Sequence, residues 1–329
     1  MTHTTLKQWP ILSWRRNAVS SKTIGWIALA VTILSASTYN TFAKILTGTL
    51  TPLSLLFVSE LLTGLFAVVS FGVMPLLRDI SRIKRRSILP IMFIGVTNGV
   101  IGPLLLFEGL KRSTAVNASL FTNMEMVFLV MLAILILRES FHREHVLSAL
   151  AITAGMLTIS LRGFTEGIHL YAGDMLFVLS GLSFAVGSLV FRKYLRHAKS
   201  HVVLFVRAMV AVMLFFIFSA LVGHPLADDI RAFPLSVIPV LIGFGFISRF
   251  LKVFSFYEAL DHLPVTTVSL MNNMGIITSI GFAWWVLREP IEGYHIVGGV
   301  LIVLGTILLE VAGTHRTPKQ LQAHHRTRK

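Results

Sequence analysis

Apolar runs long enough to cross a lipid bilayer recur along this chain, separated by short polar and mostly basic connections, and the pattern predicts ten spans. They fall near 24–43, 53–74, 88–110, 114–137, 145–161, 171–191, 201–222, 235–257, 265–287 and 294–312. Each is read as a helix, because about 20 apolar residues at helical rise cover a hydrocarbon core of about 30 Å. The first run is too long for the apolar core of a cleavable signal and has no small-residue cleavage pattern, so it is expected to stay as the first span.

The polar positions inside these runs repeat. Glu108, Leu110, Ser119, Leu120, Asn123, Met124, Ala133, Leu137, Arg138, Glu139 and His145 return at an offset of 150 as Glu258, Leu260, Ser269, Leu270, Asn273, Met274, Ala283, Leu287, Arg288, Glu289 and His295. Matches at Asn, Arg, Glu and His are not produced by apolar composition, so an internal duplication is expected. A weaker echo at offset 148 links Gly25, Leu34, Ser35, Phe57 and Val58 to Gly173, Leu182, Ser183, Phe205 and Val206. Ten spans divide into two sets of five, and because five is odd the copies enter the membrane in opposite directions. The expected architecture is an all-α polytopic membrane protein with two inverted-topology five-helix repeats, 24–161 and 171–312, between an arm at 1–23 and a basic tail at 313–329.

Composition agrees with membrane residence: 54% of residues are apolar and only 13% charged, with a mean hydropathy of +0.77. The absence of cysteine excludes disulfides, thiolate metal sites and cysteine nucleophiles. A net charge of +14 would suggest nucleic acid in a soluble chain, but here it sits in loops on one side. With the N-terminus inside, twenty Lys/Arg fall on cytoplasmic segments against Lys111, Arg112, Arg162, Arg231 and Arg288 outside, with Lys44 borderline. The positive-inside rule therefore puts both termini in the cytoplasm. The basic loop 78–86 and the tail mainly set this topology and could also hold anionic lipid headgroups.

The ten-span layout, the segment Gly102-Pro103-Leu104-Leu105-Leu106-Phe107-Glu108-Gly109-Leu110, the run Asn117-Ala118-Ser119-Leu120 leading to Glu125, and Arg-Glu at 138–139 and 288–289 resemble the EamA group of the drug/metabolite transporter superfamily. The resemblance covers about 24–312. It implies a bacterial-type inner-membrane permease that exports amino acids or related compounds, with spans one, three, four, six, eight and nine lining a central cavity. Two positions depart from it: Met126 stands where a proline commonly follows the mid-helix glutamate, and Gly275 stands at the counterpart of Glu125.

Ionisable side chains at mid-membrane are costly and are functional candidates by default. They are Glu60, Glu125, Arg207, Arg249 and Lys252. Glu125 and Arg249 lie nearest the span centres, and Lys252, one turn from Arg249, would suit a carboxylate or phosphate on the substrate. The alternative is a structural ion pair joining Glu125 to Arg249 or Lys252. Arg207 lies within snorkelling reach of the cytoplasmic interface. Asn98, Thr122 and Asn272 add neutral hydrogen-bonding groups to the same space, with ordinary helix packing as the competing role. The histidines lie in tails, loops or span ends, with His142 and His145 flanking Glu144, so no metal is expected; with no phosphate-binding glycine–lysine loop either, no cofactor is expected.

The leading expectation is a secondary transporter working by alternating access, with proton coupling through Glu125 and uncoupled exchange both open. A membrane enzyme would need a nucleophile, metal cluster or interfacial acid pair, and none is visible. A scaffold or receptor subunit would not need mid-membrane charges. Tags on both termini are expected to report the cytoplasm and a tag within 223–233 the opposite side; a C-terminal tag outside would remove the symmetry argument.

Overall fold

A computed structural model describes residues 21–83, 85–137, 143–161, 172–195, 200–222, 231, 233–263 and 265–314. The described residues form helices joined by short turns. The Arg138–Glu139 pair, His142, residues 1–20 of the arm and 315–329 of the tail lie outside them. Six helical segments among them are long and apolar enough to cross a membrane.

The first half contains α1 (Ser21–Thr47), α2 (Pro52–Phe71), the short α3 (Val73–Ser81), α4 (Arg85–Val96), α5 (Gly102–Arg112), α6 (Ala115–Phe121), α7 (Met124–Leu137) and α8 (Arg143–Ser160). The second contains α9 (Ala172–Tyr194), α10 (Ser200–Val222), α11 (Ile238–Gly243), α12 (Lys252–His262), α13 (Val265–Asn272), α14 (Met274–Leu287) and α15 (Gly293–Thr314). Two π-helical segments, Thr97–Ile101 and Phe244–Leu251, interrupt the third and eighth predicted spans. The first precedes Pro103, whose ring nitrogen cannot donate to the turn before it, so a widened turn there is cheap. Local signals set several ends: Thr51 caps α2 by accepting from Ser54 N at 3.3 Å with Pro52 in the first turn, and Gly72 at φ +79° ends it.

Elements recur at the offset read from the sequence. Adding 150 to α5 and α7 gives the bounds of α12 and α14. Packing follows the same arithmetic: α1 packs on α12 and α14, and α9 on α5 and α7. Each half thus wraps its first helix around the other half. α2 packs on α10, and α8 on α15.

The α8–α15 contact is built on glycines. A Cβ at Gly155 would come 2.5 Å from the carbonyl oxygen of Gly298, and one at Gly298 equally close to that of Gly155. Ser148 and Ile152 meet Gly305 while Ile159 meets Gly298, so the two helices run antiparallel. Gly155 and Gly305 hold corresponding places, as do Ser148 and Gly298, so a two-fold relation runs between these helices.

A central cluster buries Phe107 and Phe244, whose rings lie 6.2 Å apart, with Tyr39 5.1 Å from Phe244. Large apolar side chains also face outward on the long helices, among them Leu65, Val69, Leu135, Phe216, Leu221 and Trp285. In water such a surface would aggregate; against lipid it is the ordinary outer face of a helical bundle.

Gly155→Leu is expected to lower thermal stability by about 1–3 kcal/mol through overpacking. Gly281, with open space around it, tests the opposite case: Gly281→Ala is expected to be neutral or stabilising by up to about 1 kcal/mol. Equal melting of the two variants in detergent would contradict the close α8–α15 approach.

Candidate functional site

The mid-membrane charges do not gather into one group. Glu60, on α2, is fully buried, and Arg249, in the second π-helical segment, is 6% exposed. A guanidinium nitrogen of Arg249 donates to Glu60 Oε1, and the other donates to Ser59 Oγ at 2.6 Å. Arg207, on α10, approaches the second carboxylate oxygen from the other side, at 4.0 Å. One carboxylate thus holds an arginine from each of two second-half elements. The ion-pair alternative for Arg249 is met by Glu60, not by Glu125, and Arg207 turns to the same carboxylate rather than to the interface.

The two arginines obey the internal duplication in an exchanged form. Ser59 and Arg207 correspond at offset 148, and Gly99 and Arg249 at offset 150. Arg249 reaches Ser59, and Arg207 lies against Gly99, where a Cβ would come 3.1 Å from Arg207 Cγ. The second contact is the image of the first with the large and small partners swapped. Gly99 is therefore a seat for an arginine, and Gly95 and Gly102 on the same stripe receive Val210 and Phe184.

Glu125 and Lys252 stand outside this junction. Both are partly accessible. Ser188 on α9 donates to Glu125 Oε1 at 3.1 Å. The Lys252 ammonium lies 5.7 Å from the Tyr39 ring centroid, a cation–π distance, and makes no direct ion pair among the described residues. Glu125 follows a break in its span: α6 ends at Phe121, and Asn123 Nδ2 bridges the break by donating to the carbonyls of Ser119 and Leu120.

The neutral candidates divide. Asn98 lies against Gly187, beside Ser188, and its Oδ1 is buried without a hydrogen-bond partner among the described residues. Thr122 spends its hydroxyl on the Ala118 carbonyl at 2.6 Å, the packing alternative. Asn272 closes α13 and stays partly accessible.

Further polar contacts gather at the turn between α5 and α6, and sequence reasoning missed them. Lys44 Nζ donates to the carbonyls of Leu110 and Ser113. Asp174, almost fully buried, accepts from Ser113 Oγ and from Asn117 Nδ2 at 3.1 Å. Glu289 accepts from the amides of Ala115 and Val116, both at 2.9 Å, capping α6 across the halves. A cavity of ≈ 460 Å³ opens there, lined by Lys44, Lys111, Arg112, Asn117, Asp174 and His295 among others; no residue of the mid-membrane groups lines it. The available signal was the recurrence of Arg-Glu at 288–289, which registers the duplication without naming what the carboxylate binds.

Helices long and apolar enough to cross a bilayer, with ionisable groups held inside them, define a membrane-embedded protein. The model of the EamA-like transporter family matches residues 23–161 and 171–311, and the chain belongs to that family. It is similar to an uncharacterized transporter of Methanothermobacter thermautotrophicus, 25% identical over 70% of this chain and 66% of that protein. It is also similar to the uncharacterized transporter YyaM of Bacillus subtilis, 22% identical over 88% of this chain and 94% of that one. One crystal structure, 17% identical, superposes over 90% of this chain and 98% of its own with a TM-score of 0.58, a likeness of fold. The protein is an integral membrane transporter.

Glu60→Gln is expected to leave Arg249 buried and uncompensated, at a cost of about 3–5 kcal/mol. Neutralising both in Glu60→Leu/Arg249→Met is expected to recover most of that loss in thermal melting. A double variant no more stable than Glu60→Gln would contradict the pairing.

Proposed function

We propose that this protein is a secondary transporter of small metabolites that carry a carboxylate, amino acids or related compounds first, exporting them across the cytoplasmic membrane. The observation that carries the reading is the division between the two charged groups. Glu60 and Arg249 are buried and bonded to one another, so cargo reaches them only if the junction opens. Glu125 and Lys252 are partly accessible.

The mid-span groups sum to three cations, Arg207, Arg249 and Lys252, against two carboxylates, Glu60 and Glu125. A surplus cation in a low-dielectric bundle attracts an anion, and among the described residues Lys252 is the one of the three without a direct ion pair. A substrate carboxylate on Lys252, with Tyr39 beside it, would pair that cation. Glu125, with Ser188, then faces the other end of the substrate, where an ammonium would be favourable. Asn98 Oδ1, a buried acceptor without a donor, adds a further hydrogen-bonding place nearby.

Movement follows from two five-helix repeats of opposite orientation, 24–161 and 171–312, rocking about this centre with both termini in the cytoplasm. The antiparallel α8–α15 pair at corresponding places supports that reading. Protonation of Glu125 offers a coupling route.

Transport by purified protein in proteoliposomes tests the substrate class with a metabolite panel. Carboxylate compounds are expected to move, and their amides or esters not. Lys252→Gln is expected to weaken apparent affinity for the carboxylate substrate at least about tenfold, while Lys111→Gln, in the polar cavity at the α5–α6 turn, leaves it unchanged. Equal transport of acid and amide by the parent, with no effect of Lys252→Gln, would remove Lys252 from the site.

A further inference from the structure

We propose that the cavity at the α5–α6 turn is a second ligand site, for a small zwitterion whose primary ammonium is received by Asp174 and Asn117 and whose anionic group is held by Arg112. The inference does not rest on the transport reading, because no residue of the mid-membrane groups lines this cavity.

The floor and the mouth of the cavity differ in chemistry. Asp174 and Asn117 line it at 1% and 7% exposure, whereas Arg112, with a side chain 55% exposed, stands at the mouth. Among the described residues the Asp174 carboxylate is served by neutral donors alone. They are the Ser113 hydroxyl and Asn117 Nδ2, which lies 3.1 Å from one carboxylate oxygen and 3.3 Å from the other. Lys44, the half-buried cation of the lining, spends its ammonium on the carbonyls of Leu110 and Ser113. A buried carboxylate with no direct cation is costly. Asn117 adds a second want of the same kind: its Nδ2 is fixed toward Asp174, and its Oδ1 is a buried acceptor without a hydrogen-bond partner among the described residues. A carboxylate and an amide oxygen, both short of donors, call for a positive group with several N–H bonds. A primary ammonium has three.

An ammonium alone is a poor fit, since Lys44, Lys111 and Arg112 line the cavity against one carboxylate. A ligand that brings its own anionic group meets both demands. Arg112 pairs with Glu108 at 3.3 Å across one exposed helical turn, a contact of little strength. Its planar fork keeps further N–H groups for a carboxylate or phosphate.

The internal duplication shows that the fold does not require this polar set. A Cβ at Gly173 would come 2.6 Å from Ser113 Cβ, and at the image position a Cβ at Gly25 would come 2.7 Å from Leu263 Cγ. Leu263 belongs to an apolar cluster with Leu29, Ala259 and Val268. Read from the sequence, the places corresponding to Asn117 and Asp174 carry Thr267 and Trp26. The second half thus closes the same helix junction with hydrocarbon. Polar groups confined to one copy, and left short of partners there, point to a ligand rather than to packing. Arg112 ends α5 and Asp174 lies in the first turn of α9, so the site sits at helix ends. Two sources supply its chemistry at such a place: the headgroup of an aminophospholipid and a free amino acid.

Calorimetric titration of the full-length Lys252→Gln variant, in detergent free of phospholipid, reads this site with the central cation removed. Glycerophosphoethanolamine is the probe for the headgroup and glycine for the free amino acid. Glycerophosphocholine and glycine betaine carry the same charges with methyl groups in place of the ammonium hydrogens. At least one ammonium probe is expected to bind, and its methylated counterpart at least about tenfold more weakly. Binding of glycerophosphoethanolamine alone assigns the headgroup, of glycine alone the amino acid, and of both the shared zwitterion. Asp174→Asn and the surface change Arg112→Gln are each expected to weaken binding severalfold, Arg112→Gln with the melting temperature of the parent. Absence of binding by either probe, equal binding of the methylated counterpart, or binding indifferent to Arg112→Gln would overturn the proposal. A protein that binds as described yet moves no compound in proteoliposomes would contradict the transport reading and leave this site standing.

Discussion

A carboxylate with no access to solvent, in a bundle that faces lipid, has to be neutralised by the protein itself. Glu60 meets that constraint with arginines from two elements of the second half, and the rest of the centre is arranged around the consequence. α2 and α10 must meet there, the second π-helical segment must turn Arg249 toward Ser59 and Glu60, and Gly99 must stay small to seat Arg207. The junction joins the halves through ionic contacts that lose most of their value if one member is removed. It also fixes what the other charges are free to do.

With Glu60 and Arg249 committed to each other, Glu125 and Lys252 are left partly open on the facing side. Duplication alone would give each half the same equipment, and the chain departs from it at the ionisable positions: Gly275 opposite Glu125, Gly102 opposite Lys252, Gly99 opposite Arg249. On the proposed transport reading, a symmetric frame would let two end states be built from the same contacts in exchanged order. An asymmetric centre is useful for binding, because a substrate with one anionic group needs one cation and not two.

Much of this was legible in the sequence, and the exceptions share a cause. The duplication could be read because polar residues repeat at a constant offset, and the ionisable candidates because charges in apolar runs are conspicuous. Their partners could not. Arg249 and Lys252 share a face on a regular α-helix, but the segment carrying Arg249 is π-helical, and its wider turn sends Arg249 to Glu60 while Lys252 lies over Tyr39. Arg207 looks able to reach the interface by helical rise alone; only the cross-half contact with Gly99 shows why it turns inward. Glu289 and Asp174 act on backbone amides and side chains far along the chain, and no local spacing announces such partners.

The account stands on a division of labour between two glutamates, Glu60 as the junction and Glu125 as the working acid. Its most direct test is Glu125→Gln, with folded stability and transport measured on the same purified preparation. Thermal stability is expected to stay within about 1 kcal/mol of the parent, because Glu125 closes no direct ion pair among the described residues and Ser188 can still bond the amide. Gradient-driven accumulation, or its pH profile, is expected to change sharply. A variant that loses stability as a broken buried ion pair does, while the surviving protein transports like the parent, would show that Glu125 is structural and that the assignment of roles is wrong.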